Sequence, residues 1–273
     1  MDLHDITPLL LTRNEERNLP RVLPRLRWAR EIVVVDSYSD DRTLEILRAD
    51  DRIRIVQHRF EDFASQLNFG LEQTTTPWVL HLDADHVLTD EFAPELRSLC
   101  EADVSGYFAC FRYCIQGKPL RSTLYPPRPV LFRRDRAAFE VDGHAQRLRL
   151  DGSTRTLRSM ILHDDRKSLQ VWLQAQERYA TQELHKLRTT SPAELSYKDR
   201  LRHATWIVPL LMPFYCLFVQ GLVLDGSAGL FYTFQRTYAE LLLALKLADS
   251  QLDRASERQA LGRIPTQGNS TPR

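Results

Sequence analysis

Pro77-Trp78-Val79-Leu80-His81-Leu82-Asp83-Ala84-Asp85 reads as a buried strand that delivers two carboxylates to solvent where the apolar run ends. In an open α/β sheet, ligands bind outside the carboxyl ends of the strands. The i, i+2 spacing of Asp83 and Asp85 lets two hard oxygen ligands converge on one divalent cation and the phosphates it holds. An Asp-x-Asp triplet alone favours an ordinary acidic turn, and it is the flanking sequence that reverses the reading.

Upstream, strand and helix patterns alternate with short connections, the signature of a parallel sheet covered by helices. Ile6 to Thr12 is a continuous apolar run and the first strand. Asn14-Glu15-Glu16 is placed to cap a helix reaching Arg27, with acids in the first turn as the helix dipole favours. Glu31-Ile32-Val33-Val34-Val35-Asp36 is β-branched and forms the second strand. A helix over 41–48, a strand over 53–57 and a helix over 63–73 complete a β-α-β-α-β-α-β succession ending at Asp83. From Tyr107 the pattern changes to longer, arginine-studded segments, 107–115, 129–133, 140–150 and 155–162, expected to add antiparallel strands to the sheet. Three helices are expected over 169–187, 193–203 and 228–247. The polar residues beyond Leu252 are expected to be disordered.

The chain has 273 residues, enough for one large domain or a domain with a helical appendage, and a formal net charge of only +1. That charge is unevenly spread: residues 1–111 carry 21 Asp/Glu against 12 Lys/Arg, whereas 112–158 carry 4 against 11. The acidic part suits a metal ion and the basic part suits anions. Without a general excess of positive charge or a nucleic-acid-binding motif, a nucleic-acid partner is not expected. Cys100, Cys110, Cys114 and Cys216 lack CxxC pairing, so neither a disulfide framework nor structural zinc is expected.

Residues 207–224 contain one strongly polar residue, Gln220, and approach the length that spans a bilayer. Pro209, Pro213 and Gly221 interrupt them, and His203, Trp206 and Tyr215 suit an interface. The expectation is a helix pair on the membrane surface or against the catalytic domain rather than a span. Met1 to Asp5 carries no basic, then apolar, leader pattern. A cytoplasmic protein, peripheral on the inner face of the bacterial cytoplasmic membrane, is therefore expected.

Thr12-Arg13-Asn14-Glu15-Glu16, Asp36-Ser37-Tyr38-Ser39-Asp40-Asp41-Arg42-Thr43, Asn68-Phe69-Gly70 and Leu82-Asp83-Ala84-Asp85 occur in the order found in family 2 glycosyltransferases of the GT-A fold. The chain resembles that family, and within it the lipopolysaccharide core and cell-surface glucosyltransferases. The likeness extends through His163 and the Leu224-Asp225-Gly226 to Gly229 stretch. It implies an α/β nucleotide-diphospho-sugar transferase fold over residues 1–165; the rest of the chain reads, from its composition, as a helical region over 166–250 with a candidate membrane-associating segment at 203–225, and a disordered tail over 251–273.

The resemblance also implies roles. Asp36 would bond the nucleobase, and Thr12, Asn14, Glu15, Ser39 and Asn68 would line the nucleotide-sugar. Asp83 would touch ribose and metal, and Asp85 would bind the Mn²⁺ or Mg²⁺ that offsets charge on the departing diphosphate. His163, in Ile161-Leu162-His163-Asp164-Asp165, occupies the place of a further metal ligand. Many relatives have glutamate after the triplet, where this chain has His86.

An inverting transfer needs a carboxylate within reach of the acceptor hydroxyl. Relatives often read Val-His-Glu where this chain reads His144-Ala145-Gln146, and glutamine is no base. Asp142 is the preferred candidate, with Asp165, Asp164 and Glu140 open. The expected reaction is inverting, metal-dependent hexose transfer from a UDP-sugar to a lipopolysaccharide core or other lipid-linked glycan. Alternatives are a polyprenyl-phosphate glycosyltransferase or an inactive nucleotide-binding scaffold. Arg121, Arg128, Arg133, Arg134 and Arg136 are expected to face a phosphorylated acceptor or an anionic membrane. A homodimer is the default oligomer.

Overall fold

The computed structural model describes residues 1–99, 104–142, 145–191, 193–202 and 206–261. The amino-terminal half contains β1 (Ile6–Thr12), α1 (Leu19–Val22), β2 (Ile32–Asp36), α2 (Thr43–Arg48), β3 (Ile53–Gln57), α3 (Phe63–Gln73) and β4 (Trp78–Asp83). After these come β5 (His86–Leu88), α4 (Phe92–Ser98), β6 (Val104–Ile115), β7 (Lys118–Pro119) and β8 (Arg128–Arg133). Then follow β9 (Ala137–Asp142), β10 (Ala145–Leu150), β11 (Ser153–His163), α5 (Leu169–Thr189), α6 (Tyr197–Arg202), α7 (Ile207–Phe214) and α8 (Ser227–Leu261).

The main sheet runs β3-β2-β1-β4-β8-β6-β11-β5, with β7 paired to β6. The first four strands are parallel; β8 then runs antiparallel to both β4 and β6. β1, β2 and β4 read as continuous apolar runs because both faces of a parallel sheet are covered. Side chains alternate between two cores, as the period of two requires. Leu10, Val34 and Leu80 join Leu19, Leu26 and Phe92 on one side, while Leu9, Val33, Val35 and Val79 join Leu67 and Leu71 of α3 on the other. Gly70 is what lets α3 lie so close. A Cβ there would meet Leu9 Cδ1 at 2.7 Å.

The segment after β1 is not the long helix that Asn14 was expected to cap. Asn14 sits in the left-handed region at φ 56°, and the helix begins only at Leu19, with Pro20 and Pro24 opening two short turns. Tertiary hydrogen bonds explain the change: Asn14 N donates to Ser39 Oγ at 2.9 Å, and its Oδ1 accepts from Asp40 N at 3.0 Å. Those bonds favour a loop over a helical cap.

Residues 140–150 do not form one strand extending the sheet. They belong to β9 and β10, a separate antiparallel hairpin whose turn, Gly143 and His144, lies outside the described residues. Two bonds hold the hairpin to α3: Asn68 Nδ2 donates to Phe139 O and Phe139 N to Asn68 Oδ1, each at 2.9 Å. β11, expected to be antiparallel, is parallel to β6 and antiparallel only to β5.

A carboxy-terminal helical layer packs against β6. Leu120, Cys216, Leu222, Ala228 and Tyr232 form its inner core, with Tyr113 and Ile115 of β6 against them. The helix expected over 193–203 is shorter, α6, and His203 is outside the described residues. α8 continues past Leu252, where disorder was expected, to Leu261. Between α7 and α8 the chain forms a π-helical turn, Tyr215–Val219, and a 3-10 turn, Leu222–Asp225. Among the described residues no helix is long and apolar enough to cross a membrane.

Candidate active site

The parallel register sets Thr12 opposite Asp36 and Leu11 opposite Asp83, so the ends of β1, β2 and β4 form one edge. At that edge Asp36 is fully buried and accepts from Thr12 Oγ1 (3.0 Å), Ser39 N (2.9 Å), Ser39 Oγ (2.5 Å) and Gln57 Nε2 (3.3 Å). Its carboxylate therefore braces the loops after β1 and β2. Thr12 and Ser39 belong to that brace. Tyr38, left-handed at φ 57° and exposed on the same loop, is an aromatic surface that sequence reading passed over.

Glu15 is buried beside Asn18 and Lys167: Asn18 Nδ2 donates to its Oε2 at 2.8 Å, and Lys167 Nζ pairs with its Oε1. Burial pushes the carboxyl up to about 7, against the pull of Lys167. Asn18 also donates to Asp165 Oδ1 at 3.1 Å, and Lys167 N to the same oxygen at 3.0 Å. Glu15, Lys167 and Asp165 thus form one cluster, joining the loop after β1 to the loop after β11.

The centre of the edge is a set of carboxylates and imidazoles. Asp85 Oδ2 lies 3.1 Å from His163 Nε2, and Asp85 Oδ1 lies 3.8 Å from His86 Nε2. Asp83 Oδ1 is 3.6 Å from His81 Nε2, and Asp83 Oδ2 is 3.5 Å from His86 Nε2. His86 Nδ1 accepts from Asp83 N at 3.0 Å, which fixes the ring. Asp164 N donates to Asp85 O at 3.0 Å, joining the end of β11 to the Asp-x-Asp turn.

Burial opposes ionisation of both aspartates, yet the neighbouring imidazoles prevail. Asp83 is held well below the carboxylate range, with His86 and His81 beside it, and Asp85 is held at about 2 with His163 against it. Burial lowers His86 to about 4, so it is neutral at pH 7. Burial also works against charge on His163, but Asp85 outweighs it and raises that histidine.

The set fits a divalent cation. Single ligand atoms of Asp85, His86 and His163 all lie within 4.8 Å of one another. Asp85 Oδ1, His86 Nε2, His81 Nε2 and His163 Nδ1 are buried without a hydrogen-bonding partner among the described residues. Buried polar atoms are normally satisfied, so several such atoms in one cluster fit a ligand. A mixed oxygen and imidazole set suits manganese better than magnesium, which prefers oxygens and water. His86 enters where sequence reading saw only a departure from glutamate. Its position three residues after Asp83 was the available signal.

Aromatic rings wall this cluster. His163 lies 4.7 Å from Tyr113 and 4.8 Å from Tyr125, and His86 lies 4.9 Å from Phe111, between ring centroids. Arg128 stacks over Tyr125 at 4.4 Å and helps to hold Asp83 ionised. The other arginines of the basic stretch diverge. Arg121 pairs with Asp225, Arg133 lies over Trp78, and Arg136 donates to Ser105 Oγ at 2.9 Å.

Two further sequence candidates are committed to structural contacts. Asn68 spends its amide on Phe139, pinning the hairpin. Asp164 is consumed by Arg21, Arg166 and Gly117 N, which excludes it as a free base. Asp142 ends β9 opposite Ala145; its side chain, with His144 and the Gln146 side chain, lies outside the described residues.

The sequence profile of glycosyl transferase family 2 matches residues 9–148, just over half of the chain. The chain belongs to glycosyl transferase family 2. Its strand edge, with Asp83 and Asp85, falls within the matched range. A lipopolysaccharide core biosynthesis glycosyltransferase, LpsC of Rhizobium meliloti, is 34% identical over 117 residues, covering 40% of this chain and 43% of the relative. The glycosyltransferase SunS from the SPbeta prophage of Bacillus subtilis is 30% identical over 93 residues, 33% of this chain and 22% of the relative. The chain thus spans under half the length of these relatives. The mannosyltransferase PcManGT from Pyrobaculum calidifontis, solved with GDP-Man and Mn²⁺, superposes with a TM-score of 0.50 at 17% identity. That match covers 90% of this chain and 86% of the other, and establishes a shared GT-A fold.

Proposed function

We propose that this family 2 enzyme is an inverting, metal-dependent hexosyltransferase. It would use a uridine diphospho-sugar and act on a lipopolysaccharide core or other lipid-linked glycan. The observation that carries the reading is the convergence of Asp83, Asp85, His86 and His163 at the carboxyl edge of the sheet. Asp85 and His163, with Asp83 and His86 beside them, would hold Mn²⁺ or Mg²⁺. When bound, the cation offsets charge on the departing diphosphate.

The chain's own groups supply the rest. Thr12, Asn14, Asp36 and Ser39, whose hydrogen bonds join the loops after β1 and β2, would hold the nucleoside, with Glu15 and Lys167 close by. Arg128 adds positive charge on the side of Asp83. An acceptor hydroxyl attacking the anomeric carbon from the face opposite the diphosphate inverts the centre and must lose its proton in that step. Asp165 suits that task. It follows the His163 strand end by two residues, and Asn18 and the Lys167 amide fix its Oδ1. LpsC supports the acceptor class, and the Mn²⁺ seen with PcManGT supports the metal.

The test is transfer of radiolabelled hexose from UDP- and GDP-hexoses to a core glycolipid or to polyprenyl phosphate, with and without Mn²⁺. Metal-dependent transfer to the glycolipid is expected. Transfer to polyprenyl phosphate alone would replace the acceptor assignment, and tight nucleotide binding without transfer would favour the scaffold alternative.

A further inference from the structure

The helical layer carries apolar side chains on both of its faces. Towards the protein, Pro209, Cys216 and Leu222 are buried. Outwards, Ile207, Leu210, Leu211, Phe214 and Phe218 recur at the three- and four-residue spacing of one helical stripe. Leu210, Phe214 and Phe218 are 69%, 65% and 66% exposed. α8 repeats the arrangement with Phe231, Phe234, Tyr238, Leu241 and Leu245, all exposed, Phe234 at 65%. A contiguous apolar face on this scale marks an interaction surface.

Its charges identify the partner. Between Trp206 and Ala248 the sequence holds four charged residues, Asp225, Arg236, Glu240 and Lys246. Each has a partner within the chain, Asp225 and Glu240 buried and Lys246 in an exposed pair. Asp225 Oδ2 accepts from Arg121 N at 2.9 Å, Glu240 pairs with Arg202 at 2.8 Å and with Arg236, and Lys246 pairs with Glu177. Cations stand at both ends of the apolar segment: Arg200 on α6 is exposed, and Arg121 and Lys118 meet Asp225 beside exposed Leu224. Of the nearby acids, Asp199 and Asp225 are buried, whereas Glu194 and Asp249 are exposed. Trp206, Tyr215 and Tyr238, amphipathic rings suited to a lipid–water boundary, are exposed in the same helical layer.

We infer that this face seats the enzyme on an anionic lipid bilayer. Its stripes enter the headgroup boundary without spanning, and its cations meet lipid phosphates. A second copy of the chain fits less well. A protein interface surrounds its apolar centre with hydrogen-bonding groups, whereas Gln220, the one strongly polar residue from 207 to 224, is half-buried with its amide already engaged by Ser122 and Tyr215 Oη.

The seat is coupled to the site. Tyr232 of α8 takes a hydrogen bond from Leu124 N at 3.1 Å, and its ring lies 4.9 Å from Tyr113, which in turn contacts His163. The lipid boundary and the metal cluster therefore flank α8, whose diameter is about 10 Å. This inference does not depend on the donor reading, because vesicle binding is measured without nucleotide.

Full-length wild type, Phe214→Asp/Phe218→Asp and Phe234→Asp are sedimented with phosphatidylcholine vesicles and with vesicles containing about 30% phosphatidylglycerol. The substituted side chains are exposed, and circular dichroism with a thermal melt verifies each fold. The expected result is salt-sensitive binding of wild type to the anionic vesicles, at least about tenfold weaker in either variant. Three results would each overturn the inference. Wild type fails to bind anionic vesicles, face variants bind as wild type does, or light scattering shows a dimer that the variants dissociate.

Discussion

Nε2 of His163, at the end of β11, lies 3.1 Å from Oδ2 of Asp85, just beyond the end of β4. In the sheet these strands are separated by β8 and β6, so the pairing bridges the parallel half and the mixed half. It makes the metal affinity of the site a joint property of both. His163→Ala is expected to weaken Mn²⁺ binding about 10- to 100-fold while leaving the fold intact. Isothermal titration of the metal, alongside a thermal melt, checks this. Unchanged affinity would remove His163 from the site.

Asp165 and Asp142 make opposite predictions as the base. If Asp165 accepts the proton, Asp165→Asn lowers kcat by about 10²- to 10⁴-fold and leaves donor binding near wild type. Asp142→Asn then stays within a few-fold of wild type. Steady-state kinetics on the two variants separates the candidates, and the reverse pattern would return the role to Asp142.

Glu15 gives a pH signature in stability. Its carboxyl rises from an ordinary 4.5 to about 7 on folding, so the folded state holds the proton more tightly. The associated stabilisation is whole below pH 4.5 and is lost as pH rises to about 7, a change of about 3 kcal/mol. Glu15→Gln should flatten that part of the curve. Urea unfolding at pH 4.5, 6 and 7.5 measures it; parallel curves for wild type and variant would contradict the burial argument.

Gly229 explains part of the Leu224-Asp225-Gly226 to Gly229 stretch. A Cβ at Gly229 would lie 1.9 Å from Leu222 O, so the first turn of α8 packs directly on the backbone of the preceding turn. Gly226 adopts φ 61° with ψ −135°, a region that side chains avoid. Gly229→Ala should therefore cost about 3 kcal/mol by overpacking and loosen the helical layer from β6. Chemical denaturation together with hydrogen exchange of Leu222 and Tyr232 would show it, and wild-type protection at both would disprove it.

Sequence read well where burial alone sets structure. β1 to β4 were visible because runs such as Ile32-Val33-Val34-Val35 feed two cores from alternate positions, and α3 because Ala64, Leu67 and Leu71 recur at helical spacing. Asp83 and Asp85 were visible because they follow an apolar strand, and His163 because it falls at a strand end. What escaped depends on distant partners. The left-handed turn at Asn14 follows from Ser39 and Asp40, the capture of Asn68 from the backbone of Phe139, and the neutrality of His86 from burial against Phe111 and Tyr125. β5 has only three residues and, among the described residues, joins the sheet through β11 alone, so local pattern could not reveal it.

The most direct test of the donor site is calorimetric titration of UDP and GDP, with and without Mn²⁺, into wild type and Asp85→Ala. The account predicts Mn²⁺-dependent binding of UDP to wild type, weakened at least about 100-fold in the variant. Folded wild-type protein that binds neither nucleotide under any metal condition would contradict it.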